Sequence, residues 1–229
     1  MTTFIEAIRR TNAIDCKIKE IIFIATPDKK NIIDHFKNLD KLSADKEDFK
    51  ERYSDILFSH ITKKKSSNDG HIIYRAKEKT EDEPFAISFP DTLFYGKKSS
   101  FEQLFAIYRT SQKPVVALKR IEDEDFSESY IVKTEKIASR FYKIKKIIGS
   151  HNAEESDSRM ALTGRYILTP SIFQYFKGPG SKMSIVDAIN ELIMSGKTVY
   201  GHECEGQWFS LKNKEEYLEA QRFFLENKD

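Results

Sequence analysis

An uninterrupted apolar run, Ile21-Ile22-Phe23-Ile24-Ala25, stands near the start of the chain and predicts a strand over residues 18–26. Short, continuous, β-branched runs of this kind belong to strands covered on both faces, as in a parallel sheet flanked by helices. Pro84 to Phe89 and Val115 to Leu118 repeat the signature, and extended segments follow around 130–133, 140–148, 160–169 and 198–204. Between them the apolar period changes to the helical one. Phe4, Ile5, Ala7 and Ile8 form one such face. Ile32, Ile33 and Phe36 form another behind Thr26-Pro27-Asp28, and Leu104, Phe105 and Tyr108 a third. Ser184 is placed to cap a helix through Ile185, Ala188, Ile189 and Leu192, and Tyr217 to Phe224 predicts a C-terminal helix. Residues 41–68 are charged and read as helix at first, with loop composition from Lys63 to Gly70. Strands alternating with helices predict an α/β fold with a mainly parallel sheet, and 1–229 reads as a single domain. The helix–strand–helix opening is unusual for that class, because a first helix needs a sheet to cover.

Charge removes several function classes. Thirty-eight basic side chains against thirty-six acidic ones leave a net charge of +2, and the one basic run is Lys63-Lys64-Lys65. No concentrated basic face is expected, so neither nucleic acid nor an anionic membrane surface is expected as a partner. No apolar stretch approaches the roughly 20 residues of a membrane span, and the N-terminus lacks a signal-peptide pattern. Cys16 and Cys204 are read as apolar fillers in a reducing, cytoplasmic setting.

Several segments, in order, resemble the bacterial UTP–glucose-1-phosphate uridylyltransferase family. They are Glu20 to Thr26 with Ile33-Asp34-His35-Phe36, then Ala76-Lys77-Glu78 with Asp82-Glu83-Pro84-Phe85-Ala86 and Pro90-Asp91. Ala161 to Thr169, Asp187-Ala188-Ile189, and Lys214 with Tyr217-Leu218 complete the pattern. The resemblance implies a Rossmann-like nucleotidyltransferase fold of the GT-A type. In the family, Mg²⁺ and paired carboxylates serve the transfer of a uridylyl group to glucose 1-phosphate.

The same resemblance implies losses. The family opens with a strand and a glycine-rich turn that cradle the triphosphate, and nothing before Phe4 matches them. Its uracil-reading glutamine falls at Lys63. Its sugar-approach glycine falls in Ser129-Tyr130, where a phenol would fill the sugar's space, and its glutamate and phosphate-binding lysine fall in Ile148-Gly149-Ser150-His151. Arg159 replaces an asparagine, and Lys182-Met183-Ser184 replace Glu-Ile-Gln. Of two metal-binding aspartates Asp91 matches one, and the other falls at Ser210 with Lys212 close by. No catalytic residue is assigned. Gly70, His71 and Gly164 are the vestigial nucleotide or sugar candidates and Asp91 the vestigial metal candidate. The bland readings stand beside these: backbone packing for the glycines, a polar loop residue for His71, a strand-end acid for Asp91, and a helix-start acid for Asp187.

Family membership without the reaction is therefore expected: a binding, assembly or regulatory module, homo-oligomeric or paired with an intact paralogue, and holding no Mg²⁺. The alternatives are a working uridylyltransferase whose phosphate strand and loop come from another chain, or a gene remnant.

Overall fold

Val115 and Ala117 turn to one side of strand β5 (Val115–Arg120), Val116 and Leu118 to the other, and all four are fully buried. That alternation makes β5 the centre of a layered α/β body. The computed structural model describes residues 18–25, 56–62, 69–80, 82–121, 129–149, 157–176 and 183–227. In chain order, the other described strands are β1 (Glu20–Ala25), β2 (Leu57–Thr62), β3 (Phe85–Ser88), β4 (Thr92–Tyr95), β6 (Ile131–Ala138), β7 (Phe141–Ile148), β8 (Met160–Leu168), β9 (Tyr200–Glu203) and β10 (Gln207–Ser210). The described helices are α1 (Asp69–Arg75), α2 (Ser100–Ser111), α3 (Ile185–Met194) and α4 (Lys214–Glu226), with 3-10 turns at Lys77–Lys79 and Pro170–Tyr175.

Six strands form the main sheet in the order β3-β8-β5-β9-β7-β6; β1 with β2 and β4 with β10 make separate pairs. The α/β class stands, and the direction of the strands refines the parallel expectation. β5 and β9 are parallel, whereas β8 runs antiparallel to β3 and β5, and β7 antiparallel to β6 and β9. Thus β3, β5, β9 and β6 share one direction, but the interleaved β8 and β7 make most neighbouring ladders antiparallel.

On one face of the sheet, Val115, Ala117 and Ile167 pack against Phe101, Leu104 and Tyr108 of α2. Ser99 starts that helix by accepting from the Glu102 N–H at 3.1 Å, which satisfies one of its orphan donors. On the other face, Val116, Leu118, Tyr166 and Leu168 pack against Ile185, Ala188, Ile189 and Leu192 of α3. Ser184 caps α3 as expected, in a reciprocal capping box with Asp187. Asn190 of α3 then brackets the backbone of β7, its amide accepting from the Ile147 N–H and donating to the Ile147 carbonyl, both at 2.8 Å.

Several sequence expectations change. The run 18–26 is a strand, but Ile21, Ile22, Phe23 and Ile24 are only half-buried, and Ala86 and Ser88 of β3 are exposed. The continuous apolar pattern had indicated cover on both faces; β1 and β3 instead lie outside the doubly covered centre of the sheet. Leu57–Thr62 is a strand inside the segment read as helix and loop, pairing in parallel register with β1 from Glu20↔Leu57 to Ala25↔Thr62. Gly70 and His71 lie in the first turn of α1 rather than in a loop, because Ile72 and Ile73 anchor that turn in the core. The extended segments around 130 and 140 form one hairpin, β6–β7. The helices expected at Phe4–Arg10 and after Pro27 lie outside the described residues.

Candidate functional site

Gly164 has φ +75°, a conformation that glycine adopts without the strain imposed by a Cβ. It sits where β8 bulges against β5, the register slipping between Val116 and Leu118. The bulge sends the Arg165 side chain inward, only 4% exposed, beneath the turn that follows β3. There the guanidinium donates to the Phe89 carbonyl at 2.6 Å, the Thr92 carbonyl at 2.7 Å, the Thr92 hydroxyl at 3.0 Å and the Gly164 carbonyl at 3.3 Å. It also lies 5.9 Å from the centroid of the Trp208 ring. Burial lowers its pKa to about 10, and Asp91 acts in the opposite sense; Arg165 is a cation at neutral pH.

Asp91 lies on that turn, exposed, with its carbonyl accepting from the Leu211 N–H at 2.8 Å. The ladder β4–β10 sets Thr92 opposite Ser210. The two positions that the resemblance assigns to metal ligands, far apart in sequence, are therefore brought together. Ser210 is already engaged. Its hydroxyl donates to the Glu216 carboxylate at 2.6 Å, and the same carboxylate accepts from the N–H groups of Lys212 and Asn213 at the start of α4. These bonds hold the Glu216 pKa below the usual carboxylate range against the opposing effect of burial.

The described residues around Asp91 and Ser210 do not by themselves fit Mg²⁺. A hard cation wants several oxygen ligands in near-octahedral array, with carboxylates to match its charge. Here one exposed carboxylate faces a serine tied to a helix cap, with the fixed charge of Arg165 nearby. Among the described residues, no group of three or more His, Cys, Asp or Glu side chains could hold a metal.

A second cluster gathers where the sugar-side residues of the resemblance fall. Gly70 is buried, and a Cβ there would lie 2.0 Å from the Met183 carbonyl oxygen, so α1 can approach the start of α3 only through a glycine. That approach carries Asp69 to the N-terminus of α3. Its carboxylate accepts from the Gly70 N–H at 2.7 Å, and the backbone N–H of Ile185, the first residue of α3, is close enough to lower its pKa. Burial raises the Asp69 pKa above the usual carboxylate range, and the nearby Asp187 adds to the rise. Tyr130 lies across from both acids: burial raises its pKa first, and Asp69 and Asp187 raise it further. Tyr166, 3% exposed, is pushed up by burial and then by the same Asp69 and Tyr130. The cluster is therefore anionic and phenolic. Among the described residues, the cation that acts on it is Arg165, fixed under its turn.

Gly164 and Asp91 thus flank Arg165, while Gly70 and Asp69 hold the start of α3. His71 is half-buried in α1, one position from Gly70. Lys63, Asn68, Ser150, His151 and Lys182 lie outside the described residues. Asp69 and Glu216 carry no assignment from the sequence. An acid just before a glycine that opens a helix, and an acid three residues after the cap Asn213, are the signals that mark them.

A family model described as nucleotidyl transferase matches residues 5–227. The chain is 28% identical over 210 residues to UTP–glucose-1-phosphate uridylyltransferase 2 of Staphylococcus saprophyticus, covering 86% of this chain and 72% of that protein. It is 26% identical over 230 residues to the UTP–glucose-1-phosphate uridylyltransferase of Pseudomonas aeruginosa, covering 94% and 82%. In fold it is similar to a UDP-glucose pyrophosphorylase solved with UDP-glucose, with a TM-score of 0.82 at 23% identity over 95% of this chain and 84% of that one. It is similar also to the UTP-bound enzyme from Acinetobacter baumannii, with a TM-score of 0.81 at 20% identity over 99% and 84%. A match across nearly the whole length, on a body with this α/β arrangement, makes the chain a member of the nucleotidyl transferase family, of the kind represented by the UTP–glucose-1-phosphate uridylyltransferases.

Proposed function

We propose that this chain keeps the uridylyltransferase framework without its reaction and acts as a binding, assembly or regulatory module. The supporting observation is the cluster at the start of α3. The helix N-terminus, which would favour a ligand's anionic groups, already holds the Asp69 carboxylate, with Asp187 beside it. A nucleotide or sugar phosphate entering there meets two fixed acids and the phenol of Tyr130. Transfer between phosphates rests on cations that neutralise developing charge, and losing one such stabilising contact costs a few kcal/mol of the barrier reduction. Several lost together remove useful turnover, although the individual losses do not add.

The partner is a second copy of this chain or an intact uridylyltransferase paralogue, the setting is cytoplasmic, and no Mg²⁺ is held. Among the described residues no helix is long and apolar enough to cross a membrane. Isothermal titration with UTP and UDP-glucose, each with and without Mg²⁺, tests the reading. No heat of binding from a folded, associated protein is the expected result. Micromolar binding of either nucleotide, with release of diphosphate from UTP and glucose 1-phosphate, overturns it.

A further inference from the structure

His202 of β9 lies in register with Ala117 of β5 and Phe141 of β7, and its imidazole Nε2 stands 3.3 Å from Oε1 of Gln103 in α2. Three other bonds set the orientation of that amide. Its Oε1 accepts from the Glu205 N–H at 2.8 Å, and its Nε2 donates to the carbonyls of Lys98 and Glu205, both at 3.2 Å. A backbone N–H donates and never accepts, so the Gln103 atom facing His202 is an oxygen, and His202 Nε2 carries a hydrogen. The neutral ring is thereby the Nε2–H tautomer. Its Nδ1 is then a bare acceptor, buried and without a hydrogen-bond partner among the described residues. Buried polar atoms left unpaired are uncommon and call for an explanation.

The tip of the β6–β7 hairpin meets the ring from the other side. The Arg140 backbone is close enough to act on its protonation. Arg140 has φ +56°, a left-handed conformation that strains a residue with a Cβ. It is held there from β9: its carbonyl accepts from the Glu203 N–H at 2.9 Å, and its guanidinium donates to the Glu203 carbonyl at 3.5 Å. The charged groups acting on His202 are Arg140 from the hairpin and Glu203 from its own strand. The Glu203 carboxylate already accepts from the Tyr142 hydroxyl at 2.9 Å and pairs with Arg120 at 3.6 Å. From α2 comes the neutral Gln103, with Lys98 and Glu102 paired to each other at 4.0 Å, and β5 contributes the apolar Ala117. Cys204, the next titratable side chain along β9 after Glu203, is a buried thiol.

We infer that His202 is an acid-released latch, holding the hairpin tip and the Glu205 turn to α2 while its ring is neutral and letting them open when a proton from solvent binds Nδ1. Protonated in place, the ring is a half-buried cation beside the Arg140 guanidinium, and the one carboxylate acting on it is committed to Tyr142 and Arg120. Opening returns that charge to water and relaxes the Arg140 turn. Burial holds the His202 pKa below its ordinary value of 6.5; the Arg140 guanidinium adds to this, while the Arg140 backbone and Glu203 oppose it. A ring that binds its proton more readily when open than when closed shifts the balance toward opening as pH falls below that value. The latch holds whether or not the chain binds a nucleotide.

Two measurements on the full chain test it. Long-range proton–nitrogen spectra of the histidine rings, with His202 assigned through its Cβ, are expected to show the Nε2–H tautomer at neutral pH and a titration midpoint below the ordinary value. Amide exchange, expressed as protection relative to an unstructured chain, is expected to show Glu203 and Glu205 losing about threefold or more between about pH 7 and pH 5, with Val116 at the sheet centre unchanged. His202→Gln keeps an N–H for Gln103 but takes up no proton, and is expected to lose the fall. Should that variant fail to fold, the ring spectra and the exchange of the unaltered chain decide by themselves. An Nδ1–H tautomer at neutral pH, a midpoint at or above the ordinary value, or protection of the two amides that does not fall with pH overturns the inference. So does a folded His202→Gln that keeps the fall.

Discussion

The Ser210 hydroxyl donates to the Glu216 carboxylate at 2.6 Å, and this bond joins the end of β10 to the cap of α4. The position beside Asp91 that the family resemblance assigns to a metal ligand therefore serves a helix start. A resident divalent cation at about a hundred times its dissociation constant would stabilise the fold by about 2.7 kcal/mol. Replacing EDTA with Mg²⁺ is expected to leave the melting midpoint unchanged. Ser210→Ala is expected to cost about 1 kcal/mol in urea unfolding, the ordinary worth of a hydrogen bond to a cap, with no change in the response to Mg²⁺. A Mg²⁺-dependent rise in the midpoint, lost on Asp91→Asn, would sink the assignment.

Arg165 joins three backbone carbonyls and one hydroxyl beneath the turn at Asp91. No other side chain offers that planar fork of donors, so Arg165→Lys is not conservative here. Arg165→Lys is expected to lower unfolding free energy by about 2 kcal/mol, and Arg165→Met by about 3 kcal/mol or more, since the buried carbonyls lose their donors. The loss should appear as faster amide exchange through Thr92 and Leu93 before it appears in the distant β6–β7 hairpin. Wild-type stability in Arg165→Met would show that the clamp is dispensable.

Cys204 is 4% exposed, and burial pushes its thiol pKa up to about 12. The thiolate is the nucleophile, so a native Cys204 holds almost none at neutral pH. In a Cys16→Ser background, a thiol reagent is expected to label Cys204 at the rate of opening or unfolding, independent of reagent concentration once opening limits. Fast labelling of the native protein, linear in reagent, would mean that Cys204 is not sealed under α2.

Element type was readable wherever pattern and cap agreed. The runs at Ile21, Val115 and Met160 are strands, and Ser184 caps α3 with Asp187 as the sequence suggests. Depth was less readable. The same continuous run reads alike in β5, covered on both faces, and in β1, which is half-buried. Strand order decides cover, and strand order is a long-range property. Leu57–Thr62 alternates in type too briefly to outweigh the charged residues before it. β4 and β10 exist through each other, since Thr92 to Tyr95 pairs with Ser210 to Gln207 across the length of the chain. At the site, the resemblance located Gly70, Gly164 and Asp91, but not what the neighbouring residues do there. That Asp69 occupies the start of α3 follows from the approach of Gly70 to Met183, a contact no local pattern encodes.

Asp69 gives the site a pH signature whose sign can be worked out. Burial holds its folded pKa above the value of 3.8 expected unfolded, with Asp187 adding to the rise and the Gly70 and Ile185 N–H groups opposing it. As pH climbs from the unfolded value, the unfolded chain loses this proton first, so the folded state binds more protons and stability falls with rising pH. The fall ends once pH passes the folded value, and the penalty then stays constant. Glu216 acts in the opposite direction, its folded pKa being lowered, so the raw profile mixes both effects. The difference between Asp69→Asn and wild type isolates the site, because the asparagine oxygen still accepts from a backbone N–H but carries no charge to bury. The expected result is a variant that gains stability relative to wild type as pH rises from about 4 toward 7 and then keeps a constant margin. Urea unfolding at half-unit pH steps measures it. A margin that is flat throughout would mean that folding does not shift the Asp69 pKa, and one that shrinks with rising pH that its carboxylate is stabilised as an anion at the start of α3.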